Sequence, residues 1–190
     1  MINTIMRFMM VLTIGFLFLN YSYAGTALID IKVRHDKTFD FNQLNNNYQW
    51  IKRKDSSRDH VASVDPDINE YFLSVVNIEL VKKGFQQATD TNGSFGVDYV
   101  IVINKTGNER SLTNALANLR SSRRSSGTQL PQIPNIEEIK TGTIILNIVD
   151  MKTGYRIWIG YADAVVVDKK NREALIEQAI SKMLAEFPPK

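Results

Sequence analysis

The chain has 190 residues, 44% of them hydrophobic and 23% charged, which suits a globular domain with a substantial core rather than a disordered chain. Its formal net charge of +3 is too small to indicate general affinity for nucleic acid. It contains no cysteine, which excludes disulfides, thiol nucleophiles and cysteine-held metals.

The chain begins with a segment that has the form of an export signal. Arg7 is its one charged residue, an apolar run of 12 residues follows from 8 to 19, and Ser22-Tyr23-Ala24 has the small residues that signal peptidase accepts. A membrane-spanning helix needs about 20 apolar residues, so we expect cleavage after Ala24 and a mature protein that does not span a membrane. Gly25 stands where a lipoprotein carries its cysteine. We therefore expect 1–24 to be a signal peptide and the mature protein to be soluble, in the periplasm of a Gram-negative-type envelope.

The first half of the mature chain predicts two strands and a helix. Residues 27–34 predict a half-buried strand, because β-branched and charged side chains alternate from Ile29 to Arg34, and 48–51 predict a second, short one. Asp65-Pro66-Asp67 is a helix start, and apolar residues recur every four positions from Ile68 to Leu80. Two lysines and Gly84 predict the helix end near Lys83.

The second half predicts three more strands and a closing helix. The continuous apolar run 97–103 indicates a strand covered on both faces or central in its sheet. Residues 105–139 are mostly polar and predict a long loop, although Leu112, Ala115, Leu116 and Leu119 have helical spacing. Segments 143–149 and 155–167 predict a hairpin, in which Gly160 indicates a bulge or close packing, and 171–187 predict an amphipathic helix.

This order of elements predicts a single α+β domain over residues 25–190. Its simplest architecture is a two-layer sandwich, with a mostly antiparallel sheet of about five strands and two helices on one face.

The same landmarks resemble a bacterial cell-envelope family, domain of unknown function 4136. The matching pieces are Asp40-Phe41-Asn42 with Tyr48-Gln49-Trp50, residues 80–85, residues 97–101, the hairpin 142–150 with Trp158-Ile159-Gly160, and residues 184–189. The resemblance implies an exported envelope domain and no established enzyme activity. Many members look like lipoproteins and carry a Gly/Tyr-rich middle loop. This chain lacks the cysteine and has a Ser/Arg-rich loop instead.

Candidate catalytic groups are few, and each has a plainer interpretation. Ser56, Asp59 and His60 adjoin on one loop, whereas a catalytic triad converges from separate elements. Asp150 and Asp163 flank the hairpin as a candidate acid–base pair, but Asp150 suits a turn-capping role better. The two histidines, His35 and His60, lie in polar, turn-like segments that predict exposed side chains. We therefore expect no catalytic site, no metal and no cofactor.

Two groups of side chains are candidates for binding. Arg120, Arg123 and Arg124 place three guanidinium groups within five residues, a pattern that suits contact with an anionic glycan, lipid headgroup or acidic protein, or else a solvated loop. Tyr48, Trp50, Tyr155, Trp158 and Tyr161 would form either an aromatic binding face or, as we favour, part of the core.

The leading hypothesis is a non-catalytic accessory module that binds an envelope protein, glycan or lipid, through the long loop, an open sheet edge or both. The alternatives are a hydrolase acting on envelope polymers, and a peripheral membrane-surface binder that uses the basic loop.

Overall fold

The computed structural model describes residues 29–51, 66–89, 92–102, 109–121, 133, 137, 139–164 and 171–188. Within these ranges it contains six strands and three α-helices. The strands are β1 (Ile29–His35), β2 (Asn47–Trp50), β3 (Gln86–Gln87), β4 (Phe95–Val102), β5 (Thr143–Asp150) and β6 (Arg156–Ala164). The helices are α1 (Pro66–Lys82), α2 (Glu109–Ser121) and α3 (Arg172–Ala185), and a short 3-10 turn spans Phe41–Gln43.

The six strands form one mixed sheet in the order β1-β6-β5-β4-β2-β3. The pairs β1/β6, β6/β5 and β5/β4 are antiparallel, whereas β2 runs parallel to both β3 and β4. The α+β class is therefore confirmed, and the expected mostly antiparallel sheet of about five strands becomes a mixed sheet of six. The parallel part follows from α1, because a helix between two strands returns the chain in the same direction.

The larger core lies between one face of the sheet and helices α1 and α3. The fourfold spacing in α1 buries Phe72, Val76 and Leu80 fully, as predicted, and Phe187 closes the core after α3. The helix begins at Pro66 and is followed by Gly84 with φ +88°, so both predicted end signals lie where expected. Tyr71 of α1 donates a hydrogen bond from its hydroxyl to Glu177 Oε1 of α3, which joins the two helices at the surface.

The opposite face of the sheet is covered too, by α2. The four residues with helical spacing inside the polar segment, Leu112, Ala115, Leu116 and Leu119, are all buried against β4, β5 and β6. The two predicted helices, α1 and α3, do lie on one face, and α2 is a third helix that covers the opposite face, so the expected two-layer sandwich is corrected. Helix α2 lies inside the predicted long loop over 105–139, where the spacing of these four residues indicated a helix. A second covering layer explains why all eight residues of β4 and all eight of β5 are buried.

A β-bulge in the hairpin strand β6 changes which side chains face α2. Ile148 opposes Trp158 but the next pair is Val149 with Arg156, so Ile157 is the extra residue. Ile157 and Trp158 both join the larger core, and the side chain of Arg156 turns to the α2 face. Gly160 lies close by, where an added Cβ would stand 2.6 Å from Cη2 of Trp158, so the expected close packing is confirmed.

Candidate functional site

Asp150 and Asp163 lie at opposite ends of the hairpin. Asp163 opposes Thr143 at the start of β5, whereas Asp150 ends that strand seven residues later, about 23 Å away at strand rise. The carboxylate of Asp150 accepts the backbone N–H groups of Lys152 at 3.2 Å and Thr153 at 3.1 Å. It is thus the turn-capping residue that we favoured, and the two aspartates do not form an acid–base pair.

Asp163 belongs to a small polar cluster with Thr143, Tyr161 and Lys140. The Thr143 hydroxyl donates to Asp163 Oδ1 at 2.5 Å, and Lys140 Nζ lies 3.4 Å from Asp163 Oδ2. Burial, followed by a hydrogen bond to the Asp163 carboxylate, raises the pKa of Tyr161 above its ordinary value. Each group of this cluster has a partner within it.

The remaining candidate acids and bases give no constellation in the described ranges. His35 ends β1 and is half-buried, with its ring edge-on to Phe41 at a centroid distance of 6.0 Å, so the prediction of an exposed loop side chain was wrong for it. Ser56, Asp59 and His60 lie outside the described residues. In the part of the chain that the structure describes, no group of three or more His, Asp or Glu side chains could hold a metal ion.

The arginine cluster is described only at its first member. Arg120 is exposed in the last turn of α2, while Arg123 and Arg124 lie outside the described residues. The structure therefore places one member of the cluster in the last turn of a packed helix, where a cation interacts favourably with the negative end of the helix dipole.

The five aromatic residues do not share one binding face. Tyr48 and Trp158 are fully buried in the larger core, as we favoured, and Trp50 packs at its margin. Tyr161 packs against the smaller core on the opposite face, and Tyr155 is half-buried at the start of the hairpin's return. The larger core, rather than a ligand, accounts for the two most buried rings.

A buried polar row under α2 was not singled out by the sequence. Asp98 on β4 and Asn147 on β5 are direct cross-strand partners, and both are buried. Arg156 donates from Nε to Asn147 Oδ1 at 2.6 Å and from Nη2 to the backbone carbonyl of Leu119. The sequence signal for this row is the presence of Asp98 and Asn147 within otherwise apolar strands. The row fixes the C-terminal end of α2 over the sheet, which is a structural role.

Strand β1 forms one border of the sheet, and its backbone has a definite polarity. Among the described residues, no strand pairs with β1 on the side away from β6. The backbone N–H of Asp36 donates to the carbonyl of Ile157 at 2.8 Å, and these residues continue the β1/β6 register. Because hydrogen-bonded pairs alternate along antiparallel strands, residues 30, 32 and 34 bond to β6 and residues 29, 31 and 33 direct their N–H and C=O groups outward.

The two faces of β1 are chemically distinct. Ile29, Ile31 and Val33 are half-buried at the margin of the larger core. On the other face Asp30 and Lys32 are more than half exposed and form an ion pair, with Lys32 Nζ 3.2 Å from Asp30 Oδ2. The same Nζ lies 5.8 Å from the ring centroid of Tyr161. We call this strand, with its outward backbone and its two faces, the β1 border; it is the candidate binding site.

Comparison with solved structures gives matches of low sequence identity. A PDZ domain protein from Parabacteroides distasonis is 13% identical with a TM-score of 0.51; the alignment covers 86% of this chain and 36% of that one. This chain therefore spans about a third of that protein's length. PelC from Paraburkholderia phytofirmans, a dodecamer, is 9% identical in one crystal form and 8% in another, each with a TM-score of 0.45 and covering 83% of this chain. The match to the PDZ domain protein describes the fold alone.

The remaining findings concern the relatives of the sequence and the hydrophobicity of the described helices. No curated protein matches the sequence. Within the described ranges, no helix is long and apolar enough to cross a membrane. The family model named "Domain of unknown function (DUF4136)" matches residues 31–189, from the middle of β1 to the segment after α3. The match covers most of the chain and agrees with the resemblance seen in the sequence, and the protein is therefore a member of the DUF4136 family.

Proposed function

We propose that the protein is an exported, non-catalytic module of the periplasm that binds an envelope partner by strand addition at the β1 border. The observation that carries this proposal is the outward-directed backbone of Ile29, Ile31 and Val33 on a seven-residue strand. An extended segment of a partner can satisfy these groups with main-chain hydrogen bonds, and side-chain contacts on the two faces then supply selectivity.

The length of β1 favours the β1 border over the opposite border of the sheet as the binding site. The far border of the sheet is β3, which has only two residues, Gln86 and Gln87. A strand that short offers few hydrogen bonds, and short edge strands are a common protection against unwanted pairing. Strand β1 offers three outward residues and a half-buried apolar row beside them. A partner strand would extend that row and bury more of it.

The positions of the polar groups support a binding role over a hydrolytic one. Asp150 holds a turn, and Asp163 is engaged by Thr143 and Lys140. Tyr161 is half-buried and hydrogen-bonded to Asp163, and its raised pKa moves it further from the range in which a catalytic base works near neutral pH. The predicted export signal, together with the envelope location that the resemblance to DUF4136 implies, supports the proposed location of the module.

The test is photo-crosslinking in living cells with a photoreactive residue at Arg34, an exposed position on β1. The matched control is the same residue at Lys82, an exposed position at the end of α1 near the far border. We expect a discrete adduct in the envelope fraction from position 34 and none from position 82. Equal adducts from both positions, or none from either, would refute strand addition at this border.

Two variants identify which part of the surface is used. Val33→Pro removes an N–H that points outward and leaves the β6 hydrogen bonds in place, so the protein should fold and lose the adduct. Replacing Arg120, Arg123 and Arg124 together with Ala should leave the adduct intact. If the triple variant loses the adduct and Val33→Pro retains it, the partner binds the basic segment and the proposal for the β1 border is wrong.

A further inference from the structure

We infer that the partner taken up by the β1 border is a second copy of this chain, paired antiparallel about a two-fold axis at Ile31. The inference rests on the proposed strand addition and names its partner. Such a pair would join two six-stranded sheets into one continuous sheet. It is a closed, symmetric contact, in which the same surface is used by both copies.

Backbone geometry restricts the two-fold pairing to a few registers. Residues 29, 31 and 33 direct their hydrogen-bonding groups outward, so they must face one another across the axis. The axis must then lie at a residue position and not between adjacent positions, and the positions that pair at least three described residues of β1 are 30 to 34. Each of these registers brings a different set of charges into direct opposition on the exposed face.

The charges of β1 select one of these registers. With the axis at Asp30, Lys32 or Arg34, that residue would oppose its own copy, although the Lys32 register would also form two Asp30–Arg34 pairs. With the axis at Val33, Lys32 would oppose Arg34 twice. With the axis at Ile31, Asp30 of each copy opposes Lys32 of the other, and no described residues of like charge oppose each other. Opposite charges directly across a strand pair stabilise it, and like charges destabilise it.

The other face of the strand is complementary in the same register. Ile31 would oppose its own copy, and Ile29 would oppose Val33 on both sides of the axis. All three side chains are half-buried at the margin of the larger core, so pairing would join two apolar rows. One register therefore satisfies the backbone, the apolar row and the charges together.

Cysteine cross-linking tests this register directly, because the chain has no cysteine of its own. Asp30 and Lys32 are exposed, so Asp30→Cys and Lys32→Cys should both fold. Each purified variant alone places cysteine opposite a different residue, and we expect little oxidised dimer from either. An equimolar mixture places Cys opposite Cys in a non-hydrogen-bonded pair, where the Cα atoms are about 4.5 Å apart, and should give a strong disulfide-linked heterodimer. Cross-linking of Lys32→Cys with itself, or no heterodimer in the mixture, would overturn the inference.

Charge exchange tests the same contact without a covalent bond. In sedimentation velocity, Asp30→Lys alone and Lys32→Glu alone should each dimerise on the order of ten-fold more weakly, because two attractive pairs become repulsive. Mixing the two variants should restore dimerisation, since both cross-strand pairs are again of opposite charge. Neither variant keeps the ion pair within its own strand, so restoration cannot come from that contact. Failure of the mixture to dimerise would overturn the inference.

The two proposals fail in different ways. If no dimer forms but the photoreactive residue at Arg34 captures another envelope protein, strand addition stands and the second copy is wrong. If position 34 captures nothing in cells and the purified mixtures stay monomeric, both proposals are wrong.

Discussion

Replacing Arg156 with methionine should lower the stability of the protein strongly, because its guanidinium is buried and donates two hydrogen bonds. The side chain is 1% exposed and donates to Asn147 Oδ1 and to the Leu119 carbonyl. Hydrogen bonds from charged groups contribute about 1.5 to 3 kcal/mol each, and methionine would leave both acceptors buried without this donor. We expect Arg156→Met to lower the free energy of unfolding by about 3 to 5 kcal/mol.

Urea denaturation, followed by the fluorescence of Trp50 and Trp158, measures this loss. With a slope of about 2 kcal/mol per molar urea, the transition midpoint of Arg156→Met should fall by about 2 M. Arg34→Met is the matched control, since Arg34 is exposed on β1 and the change should stay within about 0.5 kcal/mol. Amide exchange should also accelerate most at the C-terminal end of α2, which Arg156 holds. A midpoint shift below about 0.5 M would refute the assignment of the buried row as the anchor of α2.

Three other substitutions separate packing, backbone and ionisation effects. Gly160→Ala should lower stability by about 2 kcal/mol in thermal unfolding, because its Cβ would stand 2.6 Å from Cη2 of fully buried Trp158. Gly84→Ala has open space around it but φ +88°, so it should cost about 1 kcal/mol by the same measurement, through backbone strain alone. Burial raises the pKa of Tyr48 to about 12. Wild-type stability should therefore fall as pH rises from 10 to 12, because Tyr48 ionises in the unfolded chain before it does so in the folded one. Over that interval the free energy of unfolding of Tyr48→Phe should fall by about 2 kcal/mol less than that of the wild type. The variant should also be less stable by a constant amount at every pH, because it lacks the hydrogen bond to Asn77.

The elements that the sequence predicted well are those whose signals are local. The alternation in β1, the start of α1 at Pro66, its end before Gly84 and the turn capped by Asp150 depend on a few neighbouring residues. Such signals need no knowledge of the rest of the chain, because capping, proline geometry and turn hydrogen bonds act within one or two turns of backbone.

The features that the sequence missed depend on distant contacts. Strand β3 has two residues and exists because α1 returns the chain beside β2, so no periodicity could show it. The spacing of the four apolar residues in α2 indicated a helix. It did not indicate that this helix covers the second face of the sheet, because that depends on where β4 and β5 lie. Arg156 faces α2 because of a bulge whose extra residue, Ile157, is defined only by the pairing with β5. Tertiary context fixes each of these, and local propensity does not.

The charges of β1 have two possible roles, which call for different patterns. An edge strand that only needs protection from pairing is best served by charges of one sign, which repel a second copy in every register. Strand β1 instead carries charges of both signs on its exposed face, so the described residues of a second copy bring no like charges together in the Ile31 register and at least one pair of like charges in each neighbouring register. The mixed pattern therefore gives little general protection, and it specifies how two copies of the strand should align. This distinction makes the mixing experiments decisive, because simple protection predicts no heterodimer from any pair of variants.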